Sequence, residues 1–237
     1  MGYKEKAEGA KRMGAQRAYL ISGGPSMDRS VMIQDLQNAF IDCDSLSPHI
    51  AYVGSASRDN RLFYAYMKHF LTKAGAHSVE MLPLSGREAQ THKIQARRAK
   101  AAHILNQSDV IFLSGGEPEE GMNGLKRFGL DTVLRDLYEH GKLFIGVSAG
   151  AIMMGQHWIH RNEKHKDETA HLIDCLGFFP QTFDAHGEAE NWKDLRCALS
   201  LLEEGEQACG LATNGCYCID SEGKLSSLRN EPVWLSA

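Results

Sequence analysis

No run in the 237-residue chain approaches the roughly 18 apolar residues that a helical membrane span requires. The first fourteen residues, MGYKEKAEGAKRMG, carry several Lys and Arg but lack the apolar stretch that a secretory signal places behind its charges. The expectation is a cytoplasmic protein that does not engage a membrane, with residues 1–17 forming a basic, loosely ordered tail. Positive charge is not in excess either: the formal net charge of −4 argues against a nucleic-acid binder working through a global basic field. The six cysteines, at positions 43, 175, 197, 209, 216 and 218, form no Cys-x-x-Cys pair and read as reduced core thiols. No Pro/Ser-rich linker and no internal repeat breaks the chain, so residues 18–237 are expected to form one domain. With 43% hydrophobic and 24% charged residues, that domain can bury a sizeable core.

What is present begins with four short apolar runs: AYLIS at 18–22, IAYVG at 50–54, VIFLS at 110–114 and LFIGV at 143–147. They do not alternate with polar residues, which predicts strands covered on both faces, as in a parallel sheet between helices. Between them, residues 60–75 and 130–141 place apolar side chains at helical spacing and end on Gly75 and Gly141. Residues 93–106 and 188–204 also read as helices, the second with Trp192, Leu195, Leu199 and Leu202 on one side. Strand and helix alternate, so the predicted class is α/β with a doubly wound, mostly parallel sheet flanked by helices. The segment ACGLATNGCYCIDSEGKLSSL contains an Asn-Gly and a Glu-Gly turn, which predicts an antiparallel C-terminal addition. Cys216 and Cys218 would then share a face, but two thiolates do not complete a tetrahedral metal site.

Gly146-Val147-Ser148-Ala149-Gly150 follows the fourth run and precedes a short apolar segment, the context of a Gly-x-Ser-x-Gly nucleophile elbow. A serine in such a turn sits at a helix N-terminus, where the N–H of Ala149 is the natural oxyanion donor. A hydroxyl needs a base, and His157, His160, His165, His171 and His186 lie downstream. The first four fall in a charged segment best read as a solvated loop, with no His-x-x-x-His pair to suggest a metal. His186 follows an apolar run at a predicted strand end, where catalytic groups of open α/β sheets gather. Gly115 and Gly116, after VIFLS, offer backbone N–H groups as a second oxyanion donor.

The ordered set SGG at 114–116, GVSAGA at 146–151 and LGFFPQTFDAH at 176–186 resembles the serine peptidase family that includes peptidase E, an aspartyl dipeptidase, and cyanophycinase. YVGSAS at 52–57 and CGLATNGCYCID also match that layout, so the resemblance spans nearly the whole chain after residue 17. It implies a class I glutamine amidotransferase-like fold, Ser148 as nucleophile, His186 as general base, and an acid lying between them. Gap-free matching from the serine puts Glu163 in the acid's place; counting back from His186 keeps Asp167 and Glu168 in contention. The implied function is hydrolysis of small peptides through an acyl-enzyme, with no metal or organic cofactor. A homodimer is compatible with this fold, although no sequence feature demonstrates one.

The chain departs from the family around the site. Glu117, followed by Pro118, Glu119 and Glu120, stands where relatives often carry Asn or Asp. Asp184 and Ala185 precede His186, and the arginines that relatives place soon after the histidine give way to GEAEN, with Glu188 and Glu190; Arg196 is the first Arg reached. If these acids line the site, they would repel an aspartyl side chain unless Arg196 or a basic loop elsewhere intervenes, and would suit a cationic residue or a free amino terminus; a solvated acidic loop with no role in binding is the other reading. Two other readings remain open: a non-enzymatic relative that binds a metabolite or partner, and an α/β-hydrolase esterase, which usually places its histidine nearer the chain end. A glutamine amidotransferase would use Cys where this elbow has Ser.

Overall fold

A computed structural model of the chain describes residues 17–24, 27–43, 45–84, 91–163 and 166–236. The expected basic tail, apart from Arg17, lies outside them. Five strands, β1 (Ala18–Ile21), β2 (His49–Val53), β3 (Ser78–Met81), β4 (Val110–Leu113) and β5 (Leu143–Val147), run parallel in the order β1-β5-β4-β2-β3. They alternate with α1 (Arg29–Ile41), α2 (Arg61–Ala74), α3 (Thr91–Gln107), α4 (Pro118–Phe128) and α5 (Asp131–Glu139). Downstream come α6 (Ala149–Ile152), β6 (His157–Arg161), β7 (Ala170–Asp174), β8 (Thr182–Ala185) and α7 (Lys193–Leu199). The last strands are β9 (Gln207–Leu211), β10 (Cys216–Ile219), β11 (Leu225–Arg229) and β12 (Val233–Ser236).

The absence of polar alternation in the central strands has the expected cause. Leu20, Ala51, Ile111, Leu113 and Phe144 face one core with Leu105, Leu125 and Leu134, from α3, α4 and α5. The intervening Tyr19, Ile21, Tyr52, Phe112 and Ile145 face a second core, closed by Leu36 and Phe40 of α1 and Met67, Phe70 and Leu71 of α2. Successive side chains of a strand point to opposite faces, so a sheet buried twice must be apolar throughout. Each large side chain so buried contributes roughly 1.5–3 kcal/mol.

The antiparallel addition is also present. β10 pairs with β1 from Ala18↔Ile219 to Ile21↔Cys216, and β11 extends that edge, giving a seven-stranded sheet. The Asn-Gly turn places Asn214 at φ 60°, and the Asp220 carboxylate gathers the N–H groups of Glu222 and Lys224 at the Glu-Gly turn. Cys216 and Cys218 both lie against the second core, and among the described residues no cluster of three His, Cys, Asp or Glu is disposed to hold a metal ion. Nor is any helix among them long and apolar enough to cross a membrane.

Two expectations are corrected. The charged segment read as a solvated loop contains an antiparallel hairpin, β6–β7, in which Ile159 is buried at 3% exposure. Residues 188–204 are not one helix: Asn191 and Trp192 adopt left-handed backbone angles and start α7 only at Lys193, because the Trp192 ring packs against Gly187 and Gly210. β8 and β9 are parallel neighbours and β12 closes the other side of β9, making a small second sheet beside the large one.

Candidate active site

β5 lies between β1 and β4, so the turn that leaves it is flanked by the turns that leave its neighbours. Ser148 occupies that turn with φ 51° and ψ −116°, a conformation that non-glycine residues adopt only when the surroundings over-determine it, at a cost on the order of 1–3 kcal/mol. Its N–H is tied to Ile21 O at 2.9 Å, and Ala151 N bonds back to its carbonyl at 2.8 Å. The small flanking residues are required by contact: a side chain on Gly146 would reach Gly150 C and Met154 Cε at 2.6 Å, and one on Gly150 would collide with Leu113 O.

The turn after β4 brings Gly115 alongside, where an added Cβ would lie 3.5 Å from Ser148 Cβ. Gly116 has φ 142° and passes so close to the Ala56 carbonyl that no side chain fits. Among the described residues no acceptor is recorded for the N–H groups of Gly115, Gly116 or Ala149, the last at the first position of α6. Gly115 thus lies beside Ser148, Gly116 follows it along the cleft, and Ala149 is the next residue in the chain after the serine.

His186 comes from the second sheet. Ala185 pairs with Leu211 at the end of β8, and the next residue turns to φ 66° with its N–H on Leu211 O at 3.3 Å. That turn aims Nε2 at Ser148 Oγ, 3.1 Å away. The other ring nitrogen, Nδ1, faces the hydroxyl of Ser22, the first residue after β1, at 3.3 Å. Ser22 is fully buried and donates its proton to Leu211 O at 3.0 Å, so toward Nδ1 it can only accept. The network therefore assigns the imidazole proton to Nδ1 and leaves the Nε2 lone pair for the Ser148 hydroxyl. In the opposite tautomer the single Ser22 proton would have to serve either Nδ1 or Leu211 O, so one hydrogen bond is lost.

Burial pulls the His186 pKa below its ordinary value, and the negative charge of Glu188 opposes that pull without reversing it. Glu188 accepts hydrogen bonds from Thr213 N and from Thr213 Oγ1, the latter at 2.9 Å. Burial acts to raise its own pKa, yet these bonds hold it below the usual range. Glu188 is thus the carboxylate whose charge His186 feels, although it does not touch the ring.

Glu163 does not take that position. Its carboxylate pairs with Lys166 at 2.5 Å in an exposed turn after β6, and the two ring nitrogens of His186 are occupied by Ser148 and Ser22. Asp167 pairs with Arg161 at 2.8 Å, and Glu168 is exposed. These acids flank the turn of the β6–β7 hairpin, and none of the three is hydrogen-bonded to His186. Part of the acidic rim is likewise otherwise engaged. Glu119 binds His160 at 2.9 Å, Glu120 binds Arg58 at 2.6 Å, and Glu117 precedes α4 with its N–H on Ala56 O. The Asp184 carboxylate accepts from Ala185 N at 2.8 Å, and burial raises its pKa to about 7. Arg196 is exposed and donates to Asn191 O.

A cleft of about 390 Å³ opens beside Ser148 and His186, and Gly115 and Gly116 border it. Ser22, Gly23 and Gly24 escaped the sequence reading, although a signal was there: the triplet Ser-Gly-Gly follows the first apolar run as it follows the third.

The sequence model of peptidase family S51 matches residues 19–222. A cyanophycinase from Trichormus variabilis is 24% identical over 216 residues, which cover 89% of this chain and 70% of that protein. The uncharacterized peptidase YgaJ of Bacillus subtilis is 30% identical over 106 residues, 45% of this chain and 44% of its own. In structure, a Listeria monocytogenes EGD-e protein assigned as a peptidase E superposes with a TM-score of 0.64 at 18% identity, over 92% of this chain and 100% of the other. A peptidase from an acI-B1 Actinobacterium superposes at 0.56 and 14% identity, over 94% and 88%. Both likenesses extend to the fold.

Proposed function

Since the chain belongs to peptidase family S51 and is a serine-type peptidase, we propose that it hydrolyses small peptides through Ser148, with His186 as general base and Ser22 as the group that orients the imidazole. Ser148 Oγ attacks the scissile carbonyl carbon as its proton passes to Nε2. The carbonyl oxygen gains negative charge and takes hydrogen bonds from the N–H groups of Ala149 and Gly116; each such donor supplies about 10²–10³ in rate. The imidazolium then gives its new proton to the departing amine, leaving an acyl-serine. Water, deprotonated by the same Nε2, releases the acid and restores the hydroxyl.

A neutral imidazole is needed at the outset, which suits a histidine whose burial lowers its pKa. The positive charge that develops is offset by Glu188 at a distance and by the Ser22 oxygen in contact. Among the described residues no carboxylate bonds Nδ1, so the relay ends on a hydroxyl and a backbone carbonyl.

The observation that carries this reading is the 3.1 Å approach of His186 Nε2 to Ser148 Oγ at a residue held at φ 51°. It is tested by treating the protein and its Ser148→Ala variant with a serine-directed organophosphonate and with a panel of short peptides, followed by mass spectrometry. The native protein should gain one adduct on Ser148 and cleave peptides, and the variant should do neither, with cleavage reduced by about 10⁴-fold or more. Equal cleavage by both proteins would refute the assignment.

A further inference from the structure

From the walls of the cleft we infer that the peptidase selects a peptide with a bulky apolar or aromatic side chain next to the scissile bond; the inference rests on Ser148 being the nucleophile. Beyond the glycines and the catalytic pair, the cleft is walled by Met27, Met32, Phe63, Tyr66, Met67 and Phe70. Their arrangement follows from helix periodicity. Residues 63, 66, 67 and 70 fall on one face of α2, and Met32 meets them from α1. Phe63 Cζ lies 3.7 Å from the point where a side chain on Gly115 would begin, so this apolar wall starts beside the proposed oxyanion donors.

Three properties of the wall decide the class of ligand. First, among the described residues no carboxylate lines it. Of the acids expected at the rim, Glu120, Glu119, Glu188 and Asp184 are bonded to Arg58, His160, Thr213 and the Ala185 N–H, and neither Glu117 nor Glu190 is among the described lining residues, so a basic side chain entering the cleft finds no carboxylate in its wall. Second, the one permanent cation among its described lining residues, Arg29, is exposed at the first position of α1, whereas Met32, Met67 and Phe70 are 8% exposed or less. A carboxylate carried among those side chains would lose its hydration without reaching a partner. Third, the Tyr66 ring is 48% exposed and stands edge-on to Phe70 at 4.7 Å, leaving apolar surface in water that a substrate side chain would cover. Flexible thioethers facing aromatic rings accommodate more than one apolar shape, so Phe, Leu and Met side chains all suit the space.

The test measures kcat/KM on short peptides X-Ala, Ala-X and Ala-X-Ala, with X as Phe, Leu, Met, Ala, Asp or Lys, for the native protein and for Phe63→Ala and Tyr66→Ala. Phe, Leu and Met substrates are expected to exceed the Asp and Lys ones by tenfold or more. In each variant the ratio of kcat/KM for the Phe peptide to that for the Ala peptide should fall at least tenfold, a readout that general loss of structure leaves unchanged. Tyr66 is half in solvent, so its variant keeps the test open if Phe63→Ala does not fold. Preference for Asp or Lys, or a ratio that neither variant changes, would overturn the inference while organophosphonate labelling of Ser148 still upheld the hydrolase. Absence of both labelling and cleavage would overturn the two together.

Discussion

Replacing Ser22 by Ala removes one buried oxygen and leaves the rest of the site in place. In the native protein that oxygen accepts from His186 Nδ1 and its proton goes to Leu211 O, which also receives the His186 N–H. In the resting enzyme the lost bond is neutral and worth about 1 kcal/mol. In the transition state the imidazole is cationic, and a hydrogen bond to a charged group is worth about 1.5–3 kcal/mol. Only the difference, about 0.5–2 kcal/mol, slows the reaction, so at 1.36 kcal/mol per factor of ten kcat/KM should fall by roughly 2–30-fold. The same oxygen favours the protonated ring, so its removal should lower the His186 pKa further. Activity requires the neutral base and is lost as pH falls through that pKa. The native acid limb is therefore expected below the ordinary histidine value of 6.5, and the Ser22→Ala limb lower still. The assay is a pH profile of kcat/KM from pH 4.5 to 9 on one peptide, with thermal unfolding to show that the variant folds. A rate within twofold of native and an unmoved acid limb would refute the argument that Ser22 sets the tautomer.

Two further outcomes follow from the same geometry. Glu163→Gln should leave kcat/KM within about twofold, because the carboxylate serves Lys166 in a solvated turn and surface pairs of this kind are worth 0–1 kcal/mol; a hundredfold loss would return Glu163 to the reaction. Asp35→Ala should destabilise the fold by about 3–5 kcal/mol in urea unfolding, since Asp35 is buried and receives both Arg229 nitrogens at 2.5 and 2.7 Å; a change under 1 kcal/mol would show that water reaches the stranded guanidinium.

The central strands and the elbow are legible in the sequence because their causes are local. Two-sided burial forces unbroken apolar runs, and the contacts of Gly146 and Gly150 forbid anything larger beside Ser148. Elements whose cause lies elsewhere in the chain do not show. β3 is an edge strand with only Val79 fully covered, and α1 buries Asp35 among its apolar residues because Arg229 arrives from 194 residues away. Trp192 looks helical by spacing, yet it is turned by glycines 187 and 210, one of them in another strand. The order of the chain points to an acid between nucleophile and base as the partner of His186, while the group in contact is a serine at the end of the first strand. A single chain read in order has no means of ranking residue 22 above residue 163 for contact with residue 186.

Ser148 belongs to the seven-stranded sheet and His186 to the three-stranded one, with the Leu211 carbonyl receiving a bond from each side. The reacting distance is therefore a property of the seam between two sheets and of neither sheet alone. Each could keep every ladder bond it owns while an ångström of slippage between them parted the hydroxyl from its base. On the mechanism proposed above, catalytic competence is a vernier on tertiary fit, and side chains along that seam, remote from any substrate, would hold the power to silence the enzyme without unfolding it.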